Sequence, residues 1–119
     1  AMQFDEQQPI YLQIADIICE NILSDKWKSD ERIPSVRDIA ASMEVNPNTA
    51  MRAFDYLQSI DIIYNKRGIG YFVSDTGKEK AIQYKREEFL TKTVPQFFQT
   101  MHLLGITYHD LEKYHKEQG

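Results

Sequence analysis

Apolar residues recur at helical spacing near the start of the chain. From Pro9 to roughly Leu23 the pattern predicts an amphipathic helix that covers the core, with Pro9 near its first turn. The residues of the predicted inward stripe are Ile10, Ile14, Ile17, Ile18 and Ile22. A polar connector, Ser24 to Arg32, follows this helix. Its one large apolar residue, Trp27, is expected to anchor the connector against the domain.

Two helix starts stand close together in the next part of the chain. Ser35 can cap the first, with Asp38 three residues later as the acidic partner of a capping box. Asn46 can cap the second, and Pro47 costs no hydrogen bond at the first helical position. The turn between the two helices is expected at Glu44 and Val45. Two starts this close predict a helix-turn-helix.

The second helix of this pair has two different faces. Its inward stripe consists of Ala50, Ala53, Phe54 and Leu57. Asn48 and Arg52 point roughly the opposite way, at about 100° per residue. Such a helix can enter a DNA major groove with its N-terminal residues nearest the bases, and for Arg52 we expect a phosphate contact. An ordinary solvated helix face explains the same pattern, so the flanking segments decide between the two interpretations.

Two β-prone runs, Ile62–Tyr64 and Tyr71–Val73, flank the loop sequence NKRGIG. They predict a hairpin, whose glycines supply positive φ angles or let the backbone approach a partner closely. No helix follows the loop and a third glycine is missing, so it is not a nucleotide-binding loop. With Lys66 and Arg67 at its tip, the hairpin is predicted to be a wing that reaches a flanking minor groove or the DNA backbone.

The pattern changes again beyond Thr76. A long helix is predicted from Lys78 to about Leu104, and Pro95 should kink or interrupt it. Gly105 is expected to end this helix, and a short helix should run from Tyr108 to Lys116. Thr107 is its expected N-cap, with Asp110 as the capping-box partner.

The long helix carries too many apolar residues to stand alone in water. We expect a dimer interface formed by Phe89, Phe97, Phe98, Met101 and Leu104. The predicted fold class is therefore mainly α with a small β-hairpin. A winged helix-turn-helix DNA-binding domain over residues 1–76 would be followed by a C-terminal helical dimerisation segment over residues 77–119.

Charge complicates the DNA-binding interpretation. The chain of 119 residues has the composition of an ordinary globular protein, but its net charge is −4, and up to Asp75 it has 7 Lys+Arg against 12 Asp+Glu. DNA binding needs local positive potential, so Arg37, Arg52, Lys66 and Arg67 must gather on one face. The acidity favours an alternative, a winged helix kept as a protein-protein interaction module. A steep loss of affinity with salt would distinguish the DNA binder.

Other chemistry is not indicated. No nucleophile-base pair, paired carboxylates or metal-ligand set is visible, so we expect no enzyme, no cofactor and no metal site. Cys19 is expected to be a small core residue, and the three histidines form no close ligand pair. No apolar run approaches the roughly 20 residues of a membrane span, and no signal peptide precedes the fold. We therefore expect a cytoplasmic protein.

Four stretches of the chain resemble the GntR family of bacterial transcription regulators, and most of all its short YtrA-like branch. They are PIYLQI, IPSVRDIA, VNPNTAMRAF and RGIGYFV, in unbroken order between Gln8 and Val73. The resemblance implies a winged helix-turn-helix that binds operator DNA as a homodimer, and we expect a repressor on a palindromic operator. The roughly 43 residues beyond the wing are few for a separate ligand-binding domain. The identity of any effector is unknown. It would bind at the dimer interface or act through the abundance of the regulator.

The resemblance also assigns DNA contacts. Arg37 matches the family's DNA-contacting arginine on the first helix of the pair. Most of the other predicted contacts lie at the start of the recognition helix and at the wing tip. Arg52 is added because its position on the helix faces away from the core. The predicted DNA-binding residues are Ser35, Arg37, Asn46, Asn48, Thr49, Arg52, Lys66, Arg67, Gly68 and Gly70.

Three positions depart from the family pattern. Asp25, Asp30 and Asp61 stand where relatives commonly have glycine. Aspartate tolerates left-handed backbone better than most residues, so we expect the turns to survive. Their charge explains part of the acidity and puts DNA affinity in question, while the fold should be unaffected.

Overall fold

A computed structural model describes residues 8–119 of the chain. Its elements in order are α1 (Ile10–Leu23), α2 (Val36–Met43), α3 (Pro47–Ser59), β1 (Ile63–Lys66), β2 (Gly70–Val73), α4 (Gly77–Glu88), a π-helical turn (Phe89–Thr93), α5 (Val94–Leu104) and α6 (Tyr108–Gln118). The predicted class, mainly α with a small hairpin, is confirmed. By their contacts, the described residues form two compact units. We call them the winged unit, which ends at Gln83, and the C-terminal unit, which begins at Tyr84.

The core of the winged unit lies where α1 packs against α3. The buried residues of α1 are Ile14, Ala15, Ile18, Cys19 and Ile22. The predicted stripe was therefore partly wrong, because Ile10 is 56% exposed and Ile17 is 41% exposed. The small side chains of Ala15 and Cys19 take the inward places instead, and small residues there allow close helix packing against the buried alanines of α3.

The helix-turn-helix and its two N-caps are confirmed. The Ser35 hydroxyl accepts the Asp38 backbone N–H at 3.0 Å, and the Asn46 side-chain oxygen accepts the Asn48 backbone N–H at 2.8 Å. The capping box predicted for Ser35 and Asp38 is only half formed, because the described residues include no return bond from the Ser35 N–H to the Asp38 carboxylate. Between the helices Glu44 adopts left-handed backbone, with φ 56°. The predicted stripe of α3 is wholly buried, at Ala50, Ala53, Phe54 and Leu57.

The hairpin forms with β1 antiparallel to β2, in a register that pairs Ile63 with Val73 and Lys66 with Gly70. A third segment that the sequence did not reveal joins the other edge of β2. Arg32 pairs with Phe72, and the Ile33 backbone N–H donates to the Tyr71 carbonyl at 2.9 Å. The end of the polar connector thus pairs with β2 through an isolated bridge. The wing therefore includes a segment that precedes α2 as well as the hairpin that follows α3.

The three aspartates at glycine positions all adopt positive φ, at 66° for Asp25, 62° for Asp30 and 64° for Asp61. The expected turns therefore survive. Two of the carboxylates face lysines in the first turn of α4, with Asp25 2.8 Å from Lys78 and Asp61 4.0 Å from Lys80. The hydrogen bond and the charge of Lys78 lower the pKa of Asp25 below its ordinary value.

Asp30 has a different partner. The Tyr64 hydroxyl donates to Asp30 Oδ1 at 3.1 Å, on the outer face of the wing. Burial, and then this hydrogen bond to a carboxylate, raise the pKa of Tyr64 above its ordinary value. Each of the three unusual aspartates therefore has a defined side-chain partner.

The long helix predicted beyond the wing is interrupted. A π-helical turn separates α4 from α5, and the Val94 backbone N–H reaches back five residues to the Phe89 carbonyl. Pro95 lacks an N–H, and its ring would crowd the carbonyl of Thr91 in a regular helix, so the turn widens before the proline. The expected interruption at Pro95 is confirmed.

The end of the chain follows the predicted stop and start signals. Gly105 ends α5 with φ 68°, and Thr107 and Asp110 form a reciprocal capping box at the start of α6. α6 continues to Gln118, two residues past the predicted end. Across residues 8–119, no helix is both long enough and apolar enough to cross a membrane.

Gly77 gives the first test. It is buried at the start of α4, where an added Cβ would lie 2.7 Å from the Ile62 carbonyl oxygen and 2.8 Å from a Val73 methyl carbon. Helix propensity alone predicts that Gly77→Ala stabilises the fold by roughly 0.5–1 kcal/mol. We expect the opposite sign, a loss of about 1–3 kcal/mol, because the added methyl meets backbone and must push α4 away. Urea unfolding measures the difference.

The matched control is Gly105→Ala. A Cβ there meets nothing within 4 Å, and the only cost is the left-handed backbone at φ 68°. We expect a loss of about 1 kcal/mol from that strain. A Gly77→Ala variant as stable as the unsubstituted protein would show that the contact with Ile62 is not tight in solution.

Candidate nucleic-acid interface

The exposed face of α3 carries the residues that were predicted to meet DNA. Asn48 and Arg52 are exposed, and Thr49 is half-buried at the first turn. Asn46 is exposed too, although its side-chain oxygen is occupied by the capping bond to Asn48. Asn48 therefore has a free carboxamide at the N-terminal end of the helix, where a groove-binding helix reads bases.

The residues of α2 flank this face. Arg37 is exposed in the first turn of α2, which packs against α3. Ser35 is half-buried, and its hydroxyl accepts the backbone N–H of Asp38. The structure thus gives Ser35 a capping role, and it leaves Arg37 as the exposed cation next to the recognition helix.

Arg52 has a partner that the sequence did not reveal. Its guanidinium carbon lies 4.1 Å from the centre of the Tyr11 ring on α1. Tyr11 in turn meets Tyr56 edge to face, with ring centres 6.4 Å apart. A stacked guanidinium keeps its N–H groups at the edges, so Arg52 is held against α1 while it can still donate to a phosphate.

The recognition helix and the wing are joined through Tyr71. Its ring meets the buried ring of Phe54 edge to face at 4.8 Å, and its hydroxyl donates a weak hydrogen bond to the Met51 sulfur at 3.9 Å. Both partners lie on α3, whereas Tyr71 lies on β2. The hairpin is therefore fixed relative to α3, which is what a protein needs if helix and wing are to meet one DNA duplex together.

The wing tip holds the remaining predicted contacts. Lys66 lies with its ammonium 4.8 Å from the centre of the Phe72 ring, and Arg67 is exposed in the turn. Gly68 has φ 77° with open space around it, so its role there is conformational. Gly70 has φ 149° and lies directly under the side chain of Arg32.

Arg32 is the residue that sequence reasoning missed. The connector around it lacks the alternating apolar and polar residues that predict a strand. The place of Arg32 beside the wing depends on pairing with Phe72, which lies 40 residues later in the chain. The one local signal is its position just before Ile33, the first buried residue after the connector. Such a signal does not reveal which strand the segment joins.

The predicted dimer residues lie in the C-terminal unit. Phe89, Phe97, Phe98 and Leu104 are exposed, but Met101 is only 6% exposed. Met101 is buried within its own unit, where it lines a pocket of about 350 Å³ together with Phe98 and His102. The set also omitted exposed apolar side chains of the same unit, namely Leu90, Leu103, Tyr108 and Tyr114. The interface itself stays a prediction.

The fold and this surface define a class of protein. A helix-turn-helix with a polar second helix, fixed by Tyr71 to a basic hairpin, is a winged helix-turn-helix of the kind that binds DNA. The chain belongs to the gntR family of bacterial regulatory proteins, whose family model matches residues 10–73. It is accordingly a DNA-binding transcriptional regulator and not an enzyme.

Similarity to individual proteins extends past the winged unit. The chain is 31% identical over 105 residues to the uncharacterized HTH-type transcriptional regulator YhcF of Bacillus subtilis, covering 88% of this chain and 85% of that protein. It is 32% identical over 108 residues to the HTH-type transcriptional repressor YtrA of Bacillus subtilis, covering 91% and 80%. The similarity to YtrA agrees with the resemblance to the short branch of the family.

The fold has solved counterparts. A GntR-family transcriptional regulator from Bacteroides thetaiotaomicron matches with a TM-score of 0.73 and 46% identity, over 91% of this chain and 94% of that one. The likeness therefore includes most of the C-terminal unit. The expectations of family and fold are both confirmed.

The contact between Arg52 and Tyr11 can be measured by a double-mutant cycle. We expect Arg52→Ala and Tyr11→Leu to be coupled by about 0.5–1 kcal/mol in the free energy of unfolding, because each variant removes the same cation–π contact. Urea denaturation of the four proteins gives the value.

Tyr11→Phe is the control for this cycle, because it keeps the ring and should therefore keep the contact with Arg52. Arg52→Ala should cost as much free energy of unfolding in the Tyr11→Phe protein as in the unsubstituted protein. Losses that add within about 0.3 kcal/mol would mean that the guanidinium does not rest on the ring in solution.

Proposed function

We propose that the protein is a cytoplasmic repressor that binds a palindromic operator as a homodimer. In this proposal α3 lies in the major groove and the wing reaches the flanking minor groove or backbone. The observation that carries it is the rigid connection between α3 and β2 through Tyr71. That connection presents the exposed face of α3 and the basic wing tip as one surface.

The residues would divide into two roles on DNA. Asn48 has the free carboxamide at the start of α3 and is suited to reading a base, because an amide can pair with adenine through two hydrogen bonds. Thr49 lies beside it. Arg37 on α2 and Arg67 at the wing tip are exposed cations, suited to phosphates that fix the register of the protein on the duplex.

Repression is supported by the relative YtrA, which is a transcriptional repressor. A dimer bound over a promoter would exclude the transcription machinery from that site.

Dimerisation is supported by the apolar surface of the C-terminal unit. Phe89, Phe97, Phe98 and Leu104 are exposed. The rings of Phe97 and Phe98 lie side by side with their centres 6.4 Å apart, and Tyr108 meets Phe98 at 6.1 Å. Neighbouring exposed aromatic rings of this kind favour an apolar partner surface. A two-fold pair of winged units reads two half-sites, and the second unit then binds as a nearly intramolecular step. Specific affinity should therefore depend on residues that touch no base.

Asn48→Ala and Arg67→Ala test the two roles. An operator is first obtained by selection from random duplexes, and binding to it is compared with binding to random DNA. We expect Asn48→Ala to reduce discrimination by about 1–3 kcal/mol. Arg67→Ala should weaken binding to both DNAs alike and reduce the slope of affinity against salt by about one.

Thermal melting is the control, because both side chains are exposed and neither variant should unfold the protein. If both substitutions weaken all sequences by the same factor, Asn48 does not read a base. If neither changes binding, the surface that we assign to DNA is the wrong one.

Phe97→Arg tests the dimer. A charge placed in a buried apolar interface is strongly unfavourable, so we expect the mass in solution to fall from twice 14.0 kDa to 14.0 kDa. Operator affinity should fall by about 10²-fold or more as the intramolecular step is lost. Sedimentation equilibrium and operator titration measure the two effects.

Ile10→Arg is the matched control, since it places the same charge at an exposed apolar position of α1. It should leave the mass unchanged. A Phe97→Arg protein that stays dimeric with full operator affinity would place the interface outside the aromatic surface of the C-terminal unit.

A further inference from the structure

The bridge between Arg32 and β2 fixes the backbone of Arg32. The Val73 backbone N–H donates to the Glu31 carbonyl at 3.0 Å, and the Ile33 N–H donates to the Tyr71 carbonyl at 2.9 Å. Arg32 lies between these two bonds and pairs with Phe72. Paired residues of antiparallel strands direct their side chains to the same face of the sheet, so Arg32 shares a face with Phe72 and, two residues earlier, with Gly70.

Gly70 leaves the space that the Arg32 side chain occupies. A Cβ at Gly70 would lie 2.9 Å from Arg32 Nε, 3.3 Å from Nη2 and 3.4 Å from Cζ. The guanidinium thus covers the glycine Cα from above. Gly70 is required by its φ of 149°, and a Cβ at this position would also displace the flexible Arg32 side chain from the base of the wing tip.

The same end of the wing carries two more cations. Lys66 is the register partner of Gly70, and its ammonium lies over the Phe72 ring on the same face. Arg67 follows in the turn. We call Arg32, Lys66 and Arg67 the wing cation cluster.

The carboxylates nearest to Arg32 along the chain have other partners. Glu31 accepts the Lys28 backbone N–H at 2.8 Å, and Asp30 accepts the Tyr64 hydroxyl at 3.1 Å. Among residues 8–119, no carboxylate forms an ion pair with a member of the wing cation cluster. Three cations gathered without a counter-charge, in a chain of net charge −4, make a local site for an anion.

We propose that Arg32 is a phosphate-binding residue of the wing and that Gly70 holds it in place. This rests on the proposed function, in which the wing meets DNA, and it adds a contact from a segment outside the hairpin. A flat guanidinium at the base of the wing tip can donate two parallel hydrogen bonds to a phosphate near the one that Arg67 contacts. Arg32 would strengthen binding to all sequences alike.

The test measures binding of the full chain to a mixed-sequence DNA duplex of about 30 base pairs, between about 50 and about 200 mM salt. We expect Arg32→Ala and Arg32→Gln each to reduce the salt slope by about one and to weaken binding several-fold, with a melting temperature close to that of the unsubstituted protein. Arg32→Gln keeps part of the side-chain packing over Gly70, so it separates loss of charge from loss of contact.

Lys28→Ala is the matched control, because it removes one exposed cation from the same connector. Its salt slope should not change. If Arg67→Ala reduces the slope and Arg32→Ala does not, Arg32 is not a phosphate contact and this inference is overturned, while the proposed function stands. If neither variant reduces it, the wing does not meet DNA, and both proposals fail.

The holding role of Gly70 is tested by a second cycle. Gly70→Ala should weaken DNA binding markedly in the unsubstituted protein but much less when Arg32 is already alanine. Backbone strain at Gly70 is common to both backgrounds and cancels in the cycle. If Gly70→Ala weakens DNA binding by the same factor in both backgrounds, Gly70 does not hold Arg32 in place.

Discussion

The contact of Tyr71 with Phe54 and Met51 is the interaction on which the presentation of the proposed DNA-binding surface depends. A recognition helix and a hairpin that moved independently would each meet DNA weakly, because each would have to be ordered at the moment of binding. Tyr71 lowers that cost in advance, since its ring packs at 4.8 Å against a fully buried phenylalanine of α3. The bridge at Arg32 adds to this rigidity by pairing with β2 on its second side. The wing is thereby built into the core of the winged unit.

What the sequence could predict was local. The caps at Ser35, Asn46 and Thr107 involve residues within three positions of each other, so their hydrogen bonds are visible in the sequence. The missed features depend on distant packing. Periodicity showed that α1 is amphipathic, and Cys19 is buried as expected, yet Ala15 is buried while Ile10 and Ile17 are exposed, because helix packing favours small residues at close approach. The contacts of Arg52 with Tyr11 and of Arg32 with Gly70 join residues about 40 positions apart, which no local pattern encodes.

Net charge proved a poor guide to function for a related reason. The acidity that argued against DNA includes Asp25 and Asp61, whose carboxylates face Lys78 and Lys80 in the first turn of α4. These lysines stand beyond the wing in the chain, so a count that stops at Asp75 leaves out the cations that neutralise the acids. Exposed ion pairs stabilise a fold only slightly. The paired lysine nevertheless reduces the negative potential around each carboxylate. A balance of charges along the sequence says little about potential at one surface.

Positions 25, 61 and 70 all have positive φ, but they differ in what that backbone demands. At positions 25 and 61 φ is 66° and 64°, in the left-handed region that aspartate tolerates with modest strain, and each carboxylate gains a lysine partner. At position 70 φ is 149°, a conformation that residues with a Cβ rarely adopt. A Cβ there would also lie 2.9 Å from Nε of Arg32, whose flexible side chain would move aside. The backbone angle therefore requires glycine at position 70, and the absence of a Cβ there decides where the arginine lies.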